Sequence, residues 1–135
     1  MEVTGKCHCG RIRYRAQVDP QKVTICHCTD CQVLSGGAYR VSAVIRAEDF
    51  ELLAGQPKSY IKTAESGAKR VQAFCPECGT PLYAESVERP TTRSLRLGSV
   101  DQRAELPPHK QIWCRSALPW TQRVAEIAPQ LDGQS

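Results

Sequence analysis

Long apolar segments and aromatic side chains are scarce in this sequence. No stretch approaches the roughly 18 consecutive apolar residues that a membrane-spanning helix needs, and the first residues have neither a basic start nor an apolar run. We therefore expect a cytoplasmic protein without membrane insertion. The 135 residues include only two Trp, four Tyr and two Phe, and the mean hydropathy is −0.41. Something besides apolar burial is therefore expected to stabilise the fold.

Motifs that indicate other classes of enzyme are missing. The sequence has no Gly-x-Gly-x-x-Gly, no Gly-Lys-Ser/Thr phosphate loop and no Gly-x-Ser-x-Gly, so nucleotide binding and α/β-hydrolase chemistry are not predicted. The formal net charge is +4, but seven thiolates around two Zn²⁺ ions would contribute −3 and leave +1. The arginines are also scattered, so nucleic acid is not an expected partner.

The pattern of apolar residues predicts one mainly β domain over residues 1–135. Ile12, Tyr14, Ala16 and Val18 alternate with polar residues, which is typical of a half-buried antiparallel strand. Other extended segments, separated by turns that contain Gly or Pro, are predicted at 23–25, 39–45, 58–63, 70–74, 82–84 and 94–100. The length of the chain is that of one domain.

The remaining segments are expected to be short helices and loops. Thr29 or Asp30 can cap a helical turn across Cys31, and residues 122–127 are a second candidate helix. The prolines at 107 and 108 indicate a loop rather than a domain linker. Trp113 and Trp120 beyond it are expected to pack into the fold, because exposing them to water is costly.

Four cysteines have the spacing of a closed metal site. Cys7 and Cys9 are two residues apart and can present both sulfurs on one face of a strand. Cys75 and Cys78 enclose a turn in which Gly79 can adopt a positive φ. Four thiolates form the tetrahedral set of a structural zinc. The alternative is a group of four buried thiols without a metal.

Three more cysteines, Cys26, Cys28 and Cys31, lie within six residues and have no adjacent fourth ligand. Three protein ligands and an open position are the form of a catalytic zinc site. In a reducing cytosol, clustered cysteines bind metals or carry chemistry more often than they form disulfides. The alternative is that Cys114 or a histidine closes this second site and makes it structural.

The histidines are not predicted as ligands. His8 and His27 each stand between two cysteines, where strand alternation directs them away from the sulfurs. His109 follows two prolines and is predicted to be a surface residue. Cys114 stands alone among apolar residues and is predicted to pack rather than react.

The order of these motifs resembles that of the glutathione-dependent formaldehyde-activating enzymes and their relatives, which include centromere protein V. The resemblance spans residues 7–120 and covers most of the predicted domain. The matching elements are Gly5-x-Cys7-x-Cys9-Gly10 with Tyr14, Cys26-His27-Cys28-x-x-Cys31 with Ser35-Gly36, Phe74-Cys75-x-x-Cys78-Gly79 with Leu82, Gly98-Ser99-x-Asp101, and Trp113-x-x-Ser116-x-x-Pro119-Trp120.

The resemblance implies a β-tent-like fold of small antiparallel sheets with two Zn²⁺ ions as cofactors. By position, the four-cysteine set would hold the structural zinc, and Cys26, Cys28 and Cys31 would hold the catalytic one. The implied activity is that of a carbon–sulfur lyase, which joins or cleaves the adduct of a small thiol and an aldehyde. Glutathione and formaldehyde giving S-hydroxymethylglutathione is the family example. The alternative function is a non-enzymatic zinc module that binds protein or nucleic acid.

Other polar residues are weaker candidates for this chemistry. Asp30, Ser35 and Ser116 are possible proton donors. Side chains that could bind substrate carboxylates, against an ordinary role as surface charges, are Arg40, Arg46, Lys62 and Arg70. The sequence makes no prediction of the oligomeric state.

Overall fold

The computed structural model describes residues 1–134 and is built mainly from strands. The strands are β1 (Glu2–Lys6), β2 (Arg13–Gln17), β3 (Val23–Cys26), β4 (Arg40–Arg46), β5 (Phe50–Ala54), β6 (Lys58–Thr63), β7 (Lys69–Phe74), β8 (Pro81–Ser86), β9 (Thr92–Arg96) and β10 (Lys110–Ile112). Two short α-helices are present, α1 (Thr29–Ser35) and α2 (Val124–Ile127). The predicted mainly β class with small sheets is confirmed.

The strands form two sheets. The smaller sheet is antiparallel and has the order β1-β2-β5. The larger sheet has seven strands in the order β10-β3-β4-β9-β8-β7-β6. All of its pairs are antiparallel except β10 with β3, whose parallel register places Ile112 opposite Cys26. β10 therefore lies beside Cys26, the first of the three clustered cysteines.

The predicted alternation around β2 is confirmed. Ile12, Tyr14, Ala16 and Val18 are all buried, whereas the residues between them face solvent. They form one core with apolar residues from both sheets and from the connections between them, including Val3, Val23, Ile45, Leu82, Leu95, Val100 and Leu106. The small number of aromatic residues leaves Tyr14 as the largest fully buried side chain.

The structure differs from the sequence prediction in the number of strands, in the end of one strand and in the burial of two tryptophans. β1, β5 and β10 were not predicted. In β1 the only large apolar residue is Val3, β5 has consecutive apolar residues that face solvent, and β10 has only three residues. The predicted strand over 94–100 ends at Arg96 and continues as a 3₁₀ turn. Trp113 and Trp120, expected to be buried, are 46% and 48% exposed.

Both predicted helices are present. The cap of α1 is Cys28 rather than Thr29 or Asp30, and its sulfur accepts a hydrogen bond from the Cys31 N–H. The helix ends at Ser35 and is capped by Gly36, which adopts a φ of 70°. In residues 1–134, no helix has the length and apolar character required to cross a bilayer.

Candidate functional site

Four cysteine sulfurs from two distant segments lie together where two strands end. Cys7 follows the last residue of β1, and Cys75 follows the last residue of β7. The sulfurs of Cys7, Cys9, Cys75 and Cys78 lie within 4.8 Å of one another. Cys9 Sγ is 3.6 Å from Cys7 Sγ and 3.8 Å from Cys75 Sγ. Zn–S bonds of about 2.3 Å in a tetrahedron imply S···S distances of about 3.8 Å, so this group fits one zinc ion.

Tight turns bring the sulfurs of each pair together. The Gly10 N–H donates to the Cys7 carbonyl at 3.0 Å, and the Gly79 N–H donates to the Cys75 carbonyl at 2.9 Å. Both glycines have a positive φ, 81° and 79°, as predicted for Gly79. The expectation that Cys7 and Cys9 share a strand face is wrong, because β1 ends at Lys6 and the chain turns between them.

Polar hydrogens in these turns favour thiolates at Cys7 and Cys78. The pKa of Cys9 instead rises to about 11, because the hydrogen bond from the Arg11 backbone is outweighed by burial and the neighbouring thiols. Burial raises the pKa of the Cys7 thiol, but the Ile12 N–H at 3.3 Å and the thiols of Cys9 and Cys75 lower it below its ordinary value. The pKa of Cys78 falls to about 5, chiefly because the Thr80 hydroxyl lies 3.2 Å from its sulfur. Thiolates are the form in which cysteine binds a metal.

The second group of sulfurs forms at the junction of β3 and α1. Cys26 is the last residue of β3, Cys28 caps α1, and Cys31 lies in its first turn. A short connection thus brings the three sulfurs to within 4.8 Å of one another, each partly exposed. The structure brings together the three residues that the sequence analysis grouped.

The three thiols cannot all ionise easily without a cation. The side chain of Cys31 lowers the pKa of the Cys26 thiol by hydrogen bonding, and this contact together with burial raises the pKa of Cys31 well above its ordinary value. A thiolate at one position therefore opposes a thiolate at the other. A divalent metal removes this conflict, and three soft thiolate donors suit zinc.

No other predicted ligand joins either group. Within the described residues, neither Cys114 nor any histidine belongs to them, and Cys114 is exposed rather than packed as predicted. His27 is buried with its Nε2 2.8 Å from Gln111 Oε1 and its ring edge against Tyr39. The three-cysteine group thus has no fourth Cys, His, Asp or Glu ligand in residues 1–134.

A cavity of about 330 Å³ opens beside the three-cysteine group. Cys26, Cys28 and Cys31 lie in its wall, and every strand of the seven-stranded sheet contributes to the lining. The cavity therefore lies on one face of that sheet. Ile112 and Trp113 close one side, because β10 pairs with β3. Trp113 has a φ of 57°, an uncommon conformation that sets its direction at this edge.

Five basic residues and no acidic residue line the cavity. They are Arg40, Lys62, Arg70, Arg96 and Lys110. Three of these were candidates from the sequence, whereas Arg46 is not part of the lining and pairs with Glu48 and Asp49. Arg96 and Lys110 were missed. Strand alternation was the available signal for Arg96. Ser94 and Arg96 are two residues apart in β9, so their side chains lie on the same face of the sheet, and both line the cavity.

The three predicted proton donors do not line this cavity. Asp30 Oδ2 accepts from Lys62 Nζ at 2.7 Å, and the aspartate is half exposed. The Ser35 hydroxyl donates to the Tyr39 carbonyl at 3.2 Å. The carbonyl of Ser116 accepts a hydrogen bond from a side-chain amide of α1.

The chain is similar to known proteins in fold and in sequence. No curated protein sequence matches the chain significantly. A protein of Rhodobacter sphaeroides with a known crystal structure has a similar fold, with a TM-score of 0.63 and 17% sequence identity over 80% of this chain and 98% of that one. The family model described as glutathione-dependent formaldehyde-activating enzyme matches residues 2–116. The chain therefore belongs to the family of glutathione-dependent formaldehyde-activating enzymes.

Proposed function

We propose that this protein is a zinc-dependent enzyme of the carbon–sulfur lyase type, which joins or cleaves the adduct of a small thiol and an aldehyde. Glutathione and formaldehyde are the proposed substrates. The observation that carries the proposal is the position of Cys26, Cys28 and Cys31 in a cavity wall, with no fourth protein ligand among the described residues. A zinc site with an open position toward a cavity is the catalytic form.

The four-cysteine group has the structural role in this proposal. Its ligands connect the end of β1 to the end of β7, and the group lies outside the cavity lining. Closed Cys₄ sites contribute to folding rather than to chemistry. The protein is accordingly proposed to carry two Zn²⁺ ions with different tasks, within one domain.

Cys26, Cys28 and Cys31 would hold the Zn²⁺ ion, which would supply the positive charge that keeps a nearby substrate thiol deprotonated at neutral pH. The residues of the chain then orient the reactants. Arg96 and Lys110 provide positive charge for substrate carboxylates, and Leu34 and Ile112 provide apolar wall beside the cysteines. The sulfur attacks the carbonyl carbon and a C–S bond forms while the C=O π bond breaks. The π electron pair moves to the carbonyl oxygen, which takes up one proton. No oxidation or reduction occurs, and water is the proposed proton source.

Cobalt substitution tests this proposal directly. Glutathione added to the Co²⁺ protein should change the visible spectrum if its sulfur binds the open position, and formaldehyde should then give S-hydroxymethylglutathione faster than the uncatalysed reaction by NMR. The Cys31→Ser variant is the matched control and should lose both effects. An unchanged spectrum and an uncatalysed rate would reject the proposed substrates. With Co²⁺ in the three-cysteine group alone and Zn²⁺ kept in the four-cysteine group, a four-thiolate spectrum before any ligand is added would support the alternative of a non-catalytic zinc module closed by Cys114.

A further inference from the structure

The chain beyond β10 has one hydrogen bond to the rest of the protein. Within residues 1–134, this bond runs from Gln32 Nε2 to the Ser116 carbonyl at 2.9 Å. All other hydrogen bonds of residues 113–134 join residues inside that stretch, such as the bond from the Ser116 N–H to the Trp113 carbonyl at 3.0 Å. Gln32, in α1, is therefore the polar anchor of the chain that follows β10.

The same amide group also contacts the turn that carries the three cysteines. Gln32 Nε2 donates to the His27 carbonyl at 2.9 Å. A side-chain amide nitrogen has two hydrogens, so both are used, one for each carbonyl. Gln32 is half-buried, and the loss of either carbonyl would leave a donor with restricted access to water. One side chain thus joins two segments that are distant in the chain.

Both polar anchors of the chain near its end lie in the turn 26–32, which includes the three cysteines. Gln32 directly follows the last of these cysteines, and His27 stands between the first two. The His27 N–H donates to the Ile112 carbonyl at 3.0 Å, and His27 Nε2 lies 2.8 Å from Gln111 Oε1. A metal ion fixes the positions of its ligands. The anchors are therefore restrained by whatever restrains the cysteines.

Residues 110–116, the tail segment, form one edge of the cavity. Ile112 and Trp113 line it, and the Trp113 side chain is 46% exposed, so burial alone does not fix the position of its ring. The Arg115 guanidinium lies 4.6 Å from the centre of this ring, which is a contact inside the tail segment. Trp113 is held from outside by β10 before it and by the bond to Ser116 after it. Release of Ser116 would free the segment after β10.

We propose that Gln32 is a positioning residue of the three-cysteine site. It anchors the tail segment to the turn 26–32, so that Ile112 and Trp113 stay at the cavity when the cysteines hold a metal ion. Metal binding and closure of this cavity edge are then coupled, because both depend on the order of the same turn. The role in binding a substrate rests on the proposed function, whereas the anchoring of the tail segment does not.

Hydrogen exchange of the wild-type protein tests the coupling without a substitution or a substrate. Protein with Zn²⁺ in the four-cysteine group alone is compared with protein that holds Zn²⁺ in both groups, and backbone exchange is followed by mass spectrometry. The second ion should slow exchange in residues 110–116, because their anchors become ordered. The three strands of the small sheet should exchange equally in both forms. Equal exchange of the tail segment in both forms would overturn the coupling.

Gln32→Met tests the anchor itself. Methionine keeps the length of the side chain and lacks the amide donor, and Val33→Met is the matched control at a residue of the same helix that is 80% exposed. With both zinc ions bound, Gln32→Met should speed exchange of the tail segment by about fivefold to thirtyfold, as expected for the loss of one or two hydrogen bonds. Val33→Met should leave it unchanged. Wild-type exchange in Gln32→Met would show that the anchor is elsewhere.

Glutathione binding separates the inference from the proposed function. With Co²⁺ in the three-cysteine group, Gln32→Met should bind glutathione less tightly than the wild type and Val33→Met, because the cavity edge is open more often. Equal affinities would leave the proposed function intact and overturn the positioning role. If no variant binds glutathione but exchange is faster in Gln32→Met, the anchor is supported and the proposed substrate is rejected.

Discussion

The hydroxyl of Tyr14 lies 2.7 Å from Ser99 Oγ, and both residues are buried between the two sheets. Ser99 Oγ donates to the Arg96 carbonyl at 3.1 Å, so the Tyr14 hydroxyl is the donor to Ser99. Gly5 pairs with Tyr14 across β1 and β2, and its Cα faces the Tyr14 ring. This contact ties the small sheet to the end of β9, where Arg96 enters the cavity. The contact explains the identity of Gly5, Tyr14 and Ser99, three residues of the family motifs.

Gly5→Ala should destabilise the protein, because a Cβ at this position overlaps the Tyr14 ring. Overpacking of this kind costs about 1–3 kcal/mol. Gly98→Ala is the matched control, since no atom lies within 4 Å of its Cβ position. Urea unfolding of both variants measures the difference. Equal stabilities of the two variants would mean that the ring moves aside freely.

The free energy of unfolding should fall at alkaline pH because Tyr14 is buried. Burial raises the pKa of Tyr14 to about 12, above its ordinary value of 10.0, so the folded state holds this proton more tightly than the unfolded state. The stabilisation is complete below about pH 10 and is lost as the pH rises toward about 12. Unfolding free energies across this range should fall less steeply in Tyr14→Phe than in the wild type. Tyr60→Phe removes an exposed tyrosine and should reproduce the wild-type slope.

Cys75→Ser should abolish folding if the four-cysteine group holds structural zinc. Structural zinc contributes on the order of 10 kcal/mol, which exceeds the net stability of most small domains. Circular dichroism and the metal content of the soluble fraction report the loss. Cys114→Ser, at an exposed cysteine outside both groups, should fold and bind metal normally. A Cys75→Ser protein with native thermal stability and unchanged zinc would contradict the assignment.

Cys28→Ser should remove the second zinc and leave the fold intact. Serine is a good N-cap, so its hydroxyl can replace the sulfur that accepts the Cys31 N–H at the start of α1. Metal analysis should find about two equivalents in the wild type and about one in the variant. In the wild type, a mild chelator should remove one equivalent first, because three thiolates hold zinc by fewer bonds than four. Simultaneous loss of both ions, and only on unfolding, would favour two structural sites.

The sequence by itself determined the local features of this protein. The alternation from Ile12 to Val18 is a property of adjacent residues, and it identified the buried face of β2 correctly. The spacing within each cysteine pair, and within the run from Cys26 to Cys31, is similarly local, so these sets of sulfurs could be predicted, whereas the meeting of Cys7 and Cys9 with Cys75 and Cys78 depends on the fold. Such patterns are readable because a strand or a turn restricts the direction of each side chain within a few residues.

Only the tertiary structure decided what surrounds the second group of cysteines. Arg40 looked like one of several surface charges, but it is buried at the start of β4, where it pairs with Cys26 of β3. Arg96 and Lys110 line the same cavity as the three cysteines, although β9 and β10 are distant from those cysteines in the chain. β10 reaches this place through a parallel pairing with β3 of only three residues. Burial and pairing between distant segments depend on how the strands are ordered in the sheet, and no local period in the sequence encodes that order.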